Sequence, residues 1–169
     1  TVGTQLNMSG DNLASKTRFY YQNSDNDYTY LNKVLTNEHF KEKREDANYS
    51  QWGLMQEGYY KFNRFAQLTG IAWLQQNERM LPQPLGIVGK SHEQQNETNL
   101  RGYLGFDWVR GLHELHIKGA WLYYRLKYKR WYDGGLFDLE GNVNSSKTWQ
   151  GVADYSFAPL DGLVFNTTL

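Results

Sequence analysis

The 169-residue chain contains no cysteine. That removes disulfide frameworks and thiolate metal sites from consideration. It has no surplus of charge of either sign, with 18 Lys and Arg against 18 Asp and Glu, so it lacks the electrostatic footprint of a nucleic-acid binder. No run of about 18 apolar residues occurs, which excludes a transmembrane helix but not membrane strands, since these need only about 9–11 alternating residues. Thr1 opens no basic n-region or apolar h-region, and the start is read as mature or truncated. The sequence holds no Gly-x-Ser-x-Gly nucleophile elbow and no phosphate-cradling Gly-rich loop. No catalytic residue, cofactor or metal ligand is assigned, and the chain is read as a non-enzyme.

What is present pulls in two directions. Mean hydropathy is strongly negative, yet 16% of residues are aromatic, 13 of them tyrosine. Disordered chains are poor in aromatics. A transmembrane barrel reconciles the two facts: half of each strand faces a wet lumen, the loops are polar, and aromatic girdles line both interfaces.

Along the chain the recurring pattern has period two, the mark of a strand with two unlike faces. In 2–8, Val2, Thr4, Leu6 and Met8 oppose Gly3, Gln5 and Asn7. In 13–23, Leu13, Thr17, Phe19 and Tyr21 oppose Lys16, Arg18 and Gln22. In 50–60, Trp52, Leu54 and Tyr60 share a face with Gln56, against Gln51 and Glu57. In 66–75, Ala66, Leu68, Ala72 and Leu74 oppose Gln67, Thr69 and Gln75. Segment 98–109 alternates most cleanly, with Leu100, Leu104, Phe106 and Trp108 against Asn99, Arg101, Tyr103 and Asp107. In 114–131, Leu115, Ile117, Trp121 and Tyr123 begin one face, but Leu122, Tyr124, Leu126 and Tyr128 take over the other; a bulge or a strand projecting beyond the bilayer produces such a switch. Segments 147–157 and 163–169 complete about eight strands, the size of the smallest membrane barrels.

The connections sort by parity. Short ones fall near 9–12, 61–65, 110–113 and 158–162, and long ones near 24–49, 76–97 and 132–146. Membrane barrels pair short periplasmic turns with longer extracellular loops. On that reading both chain ends lie outside the cell, and 1–169 is expected to be an internal piece of a wider barrel with strands missing on either side. Within 24–49, the polar run 33–47 predicts a short helix with Thr36 as N-cap, or else a hydrophilic loop.

The runs TNLRGYLGFDW at 98–108, YSQWGLMQEGYYK at 49–61 and TWQGVADYSF at 148–157 resemble barrel strands of TonB-dependent outer-membrane receptors. With the RMLP loop at 79–82, the style is most similar to receptors of Bacteroidota, including those like cobalamin transporters. The resemblance spans essentially the whole chain, through individually generic motifs. It implies a barrel of about 22 strands in the outer membrane of a Gram-negative bacterium. It also implies a plug domain, engagement of TonB, and import of a scarce nutrient such as a metal chelate, a vitamin or a glycan. Plug and TonB box are absent from this sequence.

Residue assignments follow from the pattern. Leu100, Leu104, Phe106 and Trp108 are expected to face lipid, and Glu57, Gln75, Arg101 and Asp107 the lumen, against water or plug. Tyr28, Tyr30, Trp131, Tyr132 and Phe137 crown the long loops and are the candidates for stacking on a ligand, or for packing the loops together. Lys127, Lys129 and Arg130 form a basic cluster that either meets lipid phosphates or an anionic ligand, or snorkels above an aromatic girdle. His113 and His116, three apart on a strand, point to opposite faces and do not share a metal. Asp25-Asn26-Asp27 lacks the glycine and glutamate of an EF-hand, having Tyr30 and Thr36 in those places, and reads as a solvated turn. Two further architectures fit the length: a self-contained small outer-membrane barrel enzyme acting on lipid, and a soluble carbohydrate-binding β-sandwich. In the receptor reading, the cut edges pair with another copy or another chain.

Overall fold

A computed structural model describes residues 1–32, 40–83, 91–132 and 141–169. The described chain is all-β. Ten strands run in order: β1 Val2–Ser9, β2 Leu13–Ser24, β3 Thr29–Asn32, β4 Phe40–Lys43, β5 Tyr49–Asn63, β6 Ala66–Leu81, β7 Ser91–Arg110, β8 His113–Tyr132, β9 Gly141–Leu160 and β10 Leu163–Thr168. Eight form one antiparallel sheet in the order β1-β2-β5-β6-β7-β8-β9-β10. Every step is to the next strand in the sequence, apart from the β3–β4 hairpin carried on the β2–β5 connection. Among the described residues the sheet is open: β1 and β10 each leave one edge unpaired.

All eight expected strands are present, and the parity of the connections holds. The turns 10–12, 64–65, 111–112 and 161–162 are tight, and their residues explain why. Gly111 and Gly162 adopt φ of 62° and 81°, a left-handed region that glycine enters without steric cost. At 64–65 the Asn63 side chain accepts hydrogen bonds from the Phe65 and Ala66 amides at 2.8 and 3.1 Å, an Asx-type turn.

The structure corrects several boundaries. β5 continues to Asn63, past the start of the turn placed at 61–65, and absorbs the misfit in a register shift between Lys61 and Asn63. β9 likewise runs to Leu160. β6 reaches Leu81, β7 begins at Ser91 and β9 at Gly141, so the long connections of β6–β7 and β8–β9 shrink to 82–90 and 133–140. These extensions escape the sequence pattern because they are polar, Ser91-His-Glu-Gln-Gln-Asn-Glu97 being a poor strand former by propensity. They are held by partners instead: Arg79 pairs with Glu97 at 3.3 Å and donates to Gln95 at 2.8 Å, and Arg130 lies 3.5 Å from Glu93.

Nor is there a helix over 33–47 within the described residues: 40–43 pair with 29–32 as a hairpin, while Thr36 lies outside them. Pairing with β3 supplies the backbone partners that an isolated polar helix of this length would have to provide alone. The switch of apolar face along β8 is not a bulge, because its register with both neighbours is continuous. β8 is simply 20 residues long, about 66 Å, and the apolar side chains change face along it with the pairing intact.

Glycine placement is tested at one close approach. A Cβ on Gly53 would collide with the ring of Tyr20, which the pairing sets directly opposite and whose hydroxyl accepts from Gln51 at 2.8 Å. At Gly58 nothing lies within 4 Å of that position. Gly53→Ala should therefore cost about 1–3 kcal/mol through overpacking, while Gly58→Ala should be neutral or stabilising by up to about 1 kcal/mol. Unfolding midpoints of the two variants check this.

Candidate functional site

Because opposite residues in an antiparallel pair project to the same side, the register divides the sheet into two faces. On one lie Leu100, Leu104, Phe106 and Trp108, directly opposite Leu74, Gly70, Leu68 and Ala66 of β6 and Tyr123, Gly119, Ile117 and Leu115 of β8. Glu57, Gln75, Arg101 and Asp107 all fall on the other. The division of residues expected from alternation is thus the division in the fold.

The first face is apolar and uncovered. Among the described residues no hydrophobic side chain is buried; Leu104 is 57% and Trp149 76% exposed. The apolar stretch occupies 13–21, 52–60, 66–74, 100–108, 115–123 and 149–157, each nine residues long. Aromatic residues bracket it. At the long-connection end stand Tyr21, Trp52 and Tyr123, with Trp121 and Trp149 5.7 Å apart. At the turn end stand Tyr60, Trp108, Tyr155 and Phe157, and Phe62 contacts both Tyr60 and Phe106 edge-on. A polar interruption of Gln56, Ser15 and Thr17 is satisfied within the face: Gln56 accepts from Thr17 at 2.6 Å and donates to Ser15 at 2.7 Å.

The second face is a lattice of cross-strand polar contacts. Glu57, 8% exposed, is held by Arg18 at 2.9 Å and by the Tyr59 hydroxyl at 3.1 Å. Gln75 donates to Asn77 at 3.2 Å. Asp107 meets His116 at 2.6 Å, and Arg101 lies over the Trp73 ring at 4.5 Å. Alternation alone missed an apolar patch in the middle of this face. Ile71, Trp73, Tyr103, Ala120 and Leu122 converge there around a shallow depression of about 230 Å³. The signal was available in Ile71 and Trp73, which break the polar side of the β6 pattern.

The loop aromatics do not assemble into one site. Tyr28 and Tyr30 meet edge-on at 6.4 Å on the β3–β4 hairpin, with the Tyr30 hydroxyl donating to Glu42 at 2.9 Å. Trp131 stacks on His92 at 5.4 Å, and His92 contacts Asp46 at 2.5 Å, a link between the β2–β5 connection and the ends of β7 and β8 away from their turn that sequence spacing could not anticipate. Tyr132 receives Arg130 over its ring at 5.2 Å. Phe137 lies outside the described residues. His113 and His116 do point to opposite faces. His113 stacks on Phe157 at 4.7 Å, and its Nδ1 lies 2.7 Å from the Tyr155 hydroxyl. The basic cluster is split: Arg130 projects to the polar face beside Glu93, whereas Lys127 and Lys129 share the apolar side. Asp27 is tied to Lys43 at 2.6 Å.

Compared with models of known protein families the chain matches none, and no curated protein sequence matches it.

The Asp27–Lys43 pair offers a titration. The hydrogen bond and charge of Lys43 hold the Asp27 carboxyl below its ordinary value, and Asp27 raises Lys43. For a depressed carboxyl the pair's contribution is present above the unfolded value and is lost as pH falls through the folded one. For the raised lysine it is lost as pH rises through its folded value. In Lys43→Gln the Asp27 titration midpoint should move upward, as read by carboxyl NMR; an unmoved midpoint would show that the pair does not hold in solution.

Proposed function

We propose that the chain is part of the transmembrane barrel of a TonB-dependent outer-membrane receptor that imports a scarce nutrient, whether metal chelate, vitamin such as cobalamin, or glycan. One observation carries the membrane half of this reading: an exposed apolar band, nine residues deep on six strands and edged by aromatics at both ends. Nine residues extend about 30 Å along a strand. At the tilt of roughly 35–45° usual for membrane barrels, this matches the apolar height of roughly 25 Å that an outer membrane requires. The receptor half rests on the strand resemblance in 49–61, 98–108 and 148–157 and on the parity of the connections.

In this reading Leu100, Leu104, Phe106 and Trp108 contact lipid. Glu57, Gln75, Arg101 and Asp107 line the lumen, where the patch around Trp73 and Tyr103 meets the plug. The edges of β1 and β10 pair with further strands of the receptor, since open edges invite pairing. TonB supplies the energy and the chain itself performs no covalent chemistry. A β-sandwich needs two sheets with interdigitated apolar faces; the eight strands lie in one sheet with no apolar side chain buried among the described residues. A self-contained eight-stranded barrel needs β1 paired to β10, and each keeps a free edge.

Leu104→Arg at mid-band should lower stability in detergent or lipid by about 2–4 kcal/mol, whereas Gln150→Arg on the opposite face should change it by less than about 0.5 kcal/mol. Equal effects at both positions, or a monodisperse monomer in buffer without detergent, would overturn the membrane reading.

A further inference from the structure

Just beyond the aromatic margin, the apolar side of β8 and β9 turns abruptly basic. Arg125, Lys127 and Lys129 follow Trp121 and Tyr123 at every second position of β8, and Lys147 precedes Trp149 on β9. Lys147 sits directly opposite Tyr123, and Arg125 opposite Ser145, so Lys147 and Arg125 are diagonal neighbours, roughly 7–8 Å apart. Among the described residues none of the four cations is paired with a carboxylate. At the same end of the sheet, Arg79 and Arg130 on the other face are each paired with one. This part of the basic side carries a single carboxylate on the described strands, Glu78 on β6, and it is engaged by Gln94. Below the cations, Trp121 and Trp149 flank a depression of about 300 Å³ open to the apolar side, with Gly102, Leu104 and Gly119 on its floor and rim.

We infer that this surface binds one anionic, phosphate-bearing membrane lipid, its headgroup between Lys147 and Arg125, with Lys127 and Lys129 extending the positive field further along β8, and an acyl chain against Trp121 and Trp149. The inference rests on the membrane reading above and adds to it a charge preference. Zwitterionic lipid satisfies the apolar depression but leaves Lys147 and Arg125 without net counter-charge. An anionic headgroup satisfies both at the depth where these two stand, Lys147 one strand repeat of about 6.6 Å beyond the tryptophans and Arg125 one repeat further. The sequence cluster Lys127-Tyr-Lys-Arg130 hinted at such a surface with Lys127 and Lys129 but misplaced one member and lacked two. The register removes Arg130 and brings in Arg125 and Lys147.

The test titrates the detergent-solubilised chain with lipids brominated on their acyl chains, following quenching of tryptophan fluorescence. Brominated phosphatidylglycerol should quench at roughly tenfold lower mole fraction than brominated phosphatidylcholine, since each cation near an anionic surface contributes about a fivefold preference and the two nearest the tryptophans act incompletely together. The preference should shrink in high salt. It should vanish in Arg125→Ser/Lys127→Ser/Lys147→Ser with quenching by phosphatidylcholine unchanged, which also shows that the variant remains folded. Equal quenching of the unmodified chain by the two lipids, or an unchanged preference in the triple variant, would refute the site while leaving the membrane reading intact. Loss of the preference on adding inorganic phosphate would refute the lipid as the source of the anion. Quenching by neither lipid would remove both readings.

Discussion

Cross-strand backbone hydrogen bonding is what holds this sheet, because burial of apolar side chains contributes so little within the described chain. Between the two open edges, the strands of the main sheet satisfy their amides and carbonyls on their neighbours over long registers, from His113 to Tyr132 on β8 for instance. In water such a sheet would be a poor arrangement, exposing Leu104, Trp149 and Phe165 to solvent for no return. In a hydrocarbon layer the terms reverse. An unsatisfied backbone group costs several kcal/mol there, and a ladder that leaves none is the primary requirement. The exposed apolar face then needs no protein partner.

The polar face carries the second layer of order. Its contacts are cross-strand pairs at register positions, such as Arg18 with Glu57 and Asp107 with His116. They pin the register that the turns initiate, since a slip of one residue would move Glu57 to the apolar side and Leu54 to the polar one. Gln56 shows the same logic in reverse. It sits on the apolar side and is tolerated because Ser15 and Thr17 occupy its amide.

Much of this was legible in the residues. Alternation located all eight strands of the sheet and sorted Leu100 to Trp108 from Glu57, Gln75, Arg101 and Asp107 without a structure, because period two is a local property of the chain. What was not legible depended on pairing. The polar outer segment 91–97 forms strand because Arg79 and Arg130 lie on the strands beside it, and no window of its own sequence says so. The hairpin at 29–43 needed its two legs to find each other across a connection. The basic surface on β8 and β9 required knowing that Lys147 lands opposite Tyr123, a relation between residues 24 apart. The loop aromatics were grouped by their position at the tips. In the fold they separate, and Trp131 is engaged by His92 of the neighbouring strand.

The length of β7, β8 and β9, 20 residues each with the apolar band confined to nine of them, has an evolutionary corollary. The outer halves form a stiff parapet whose inner and outer surfaces are fixed by parity. Inserting one residue into one leg of such a hairpin would invert every side chain from there to the tip, exchanging Lys129 with Arg130 and His92 with Glu93. Adding two residues to each leg would leave both surfaces intact and raise the tip by about 6.6 Å. Parapets of this kind should therefore vary among descendants by even increments, with odd changes confined to the tips at 82–90 and 133–140.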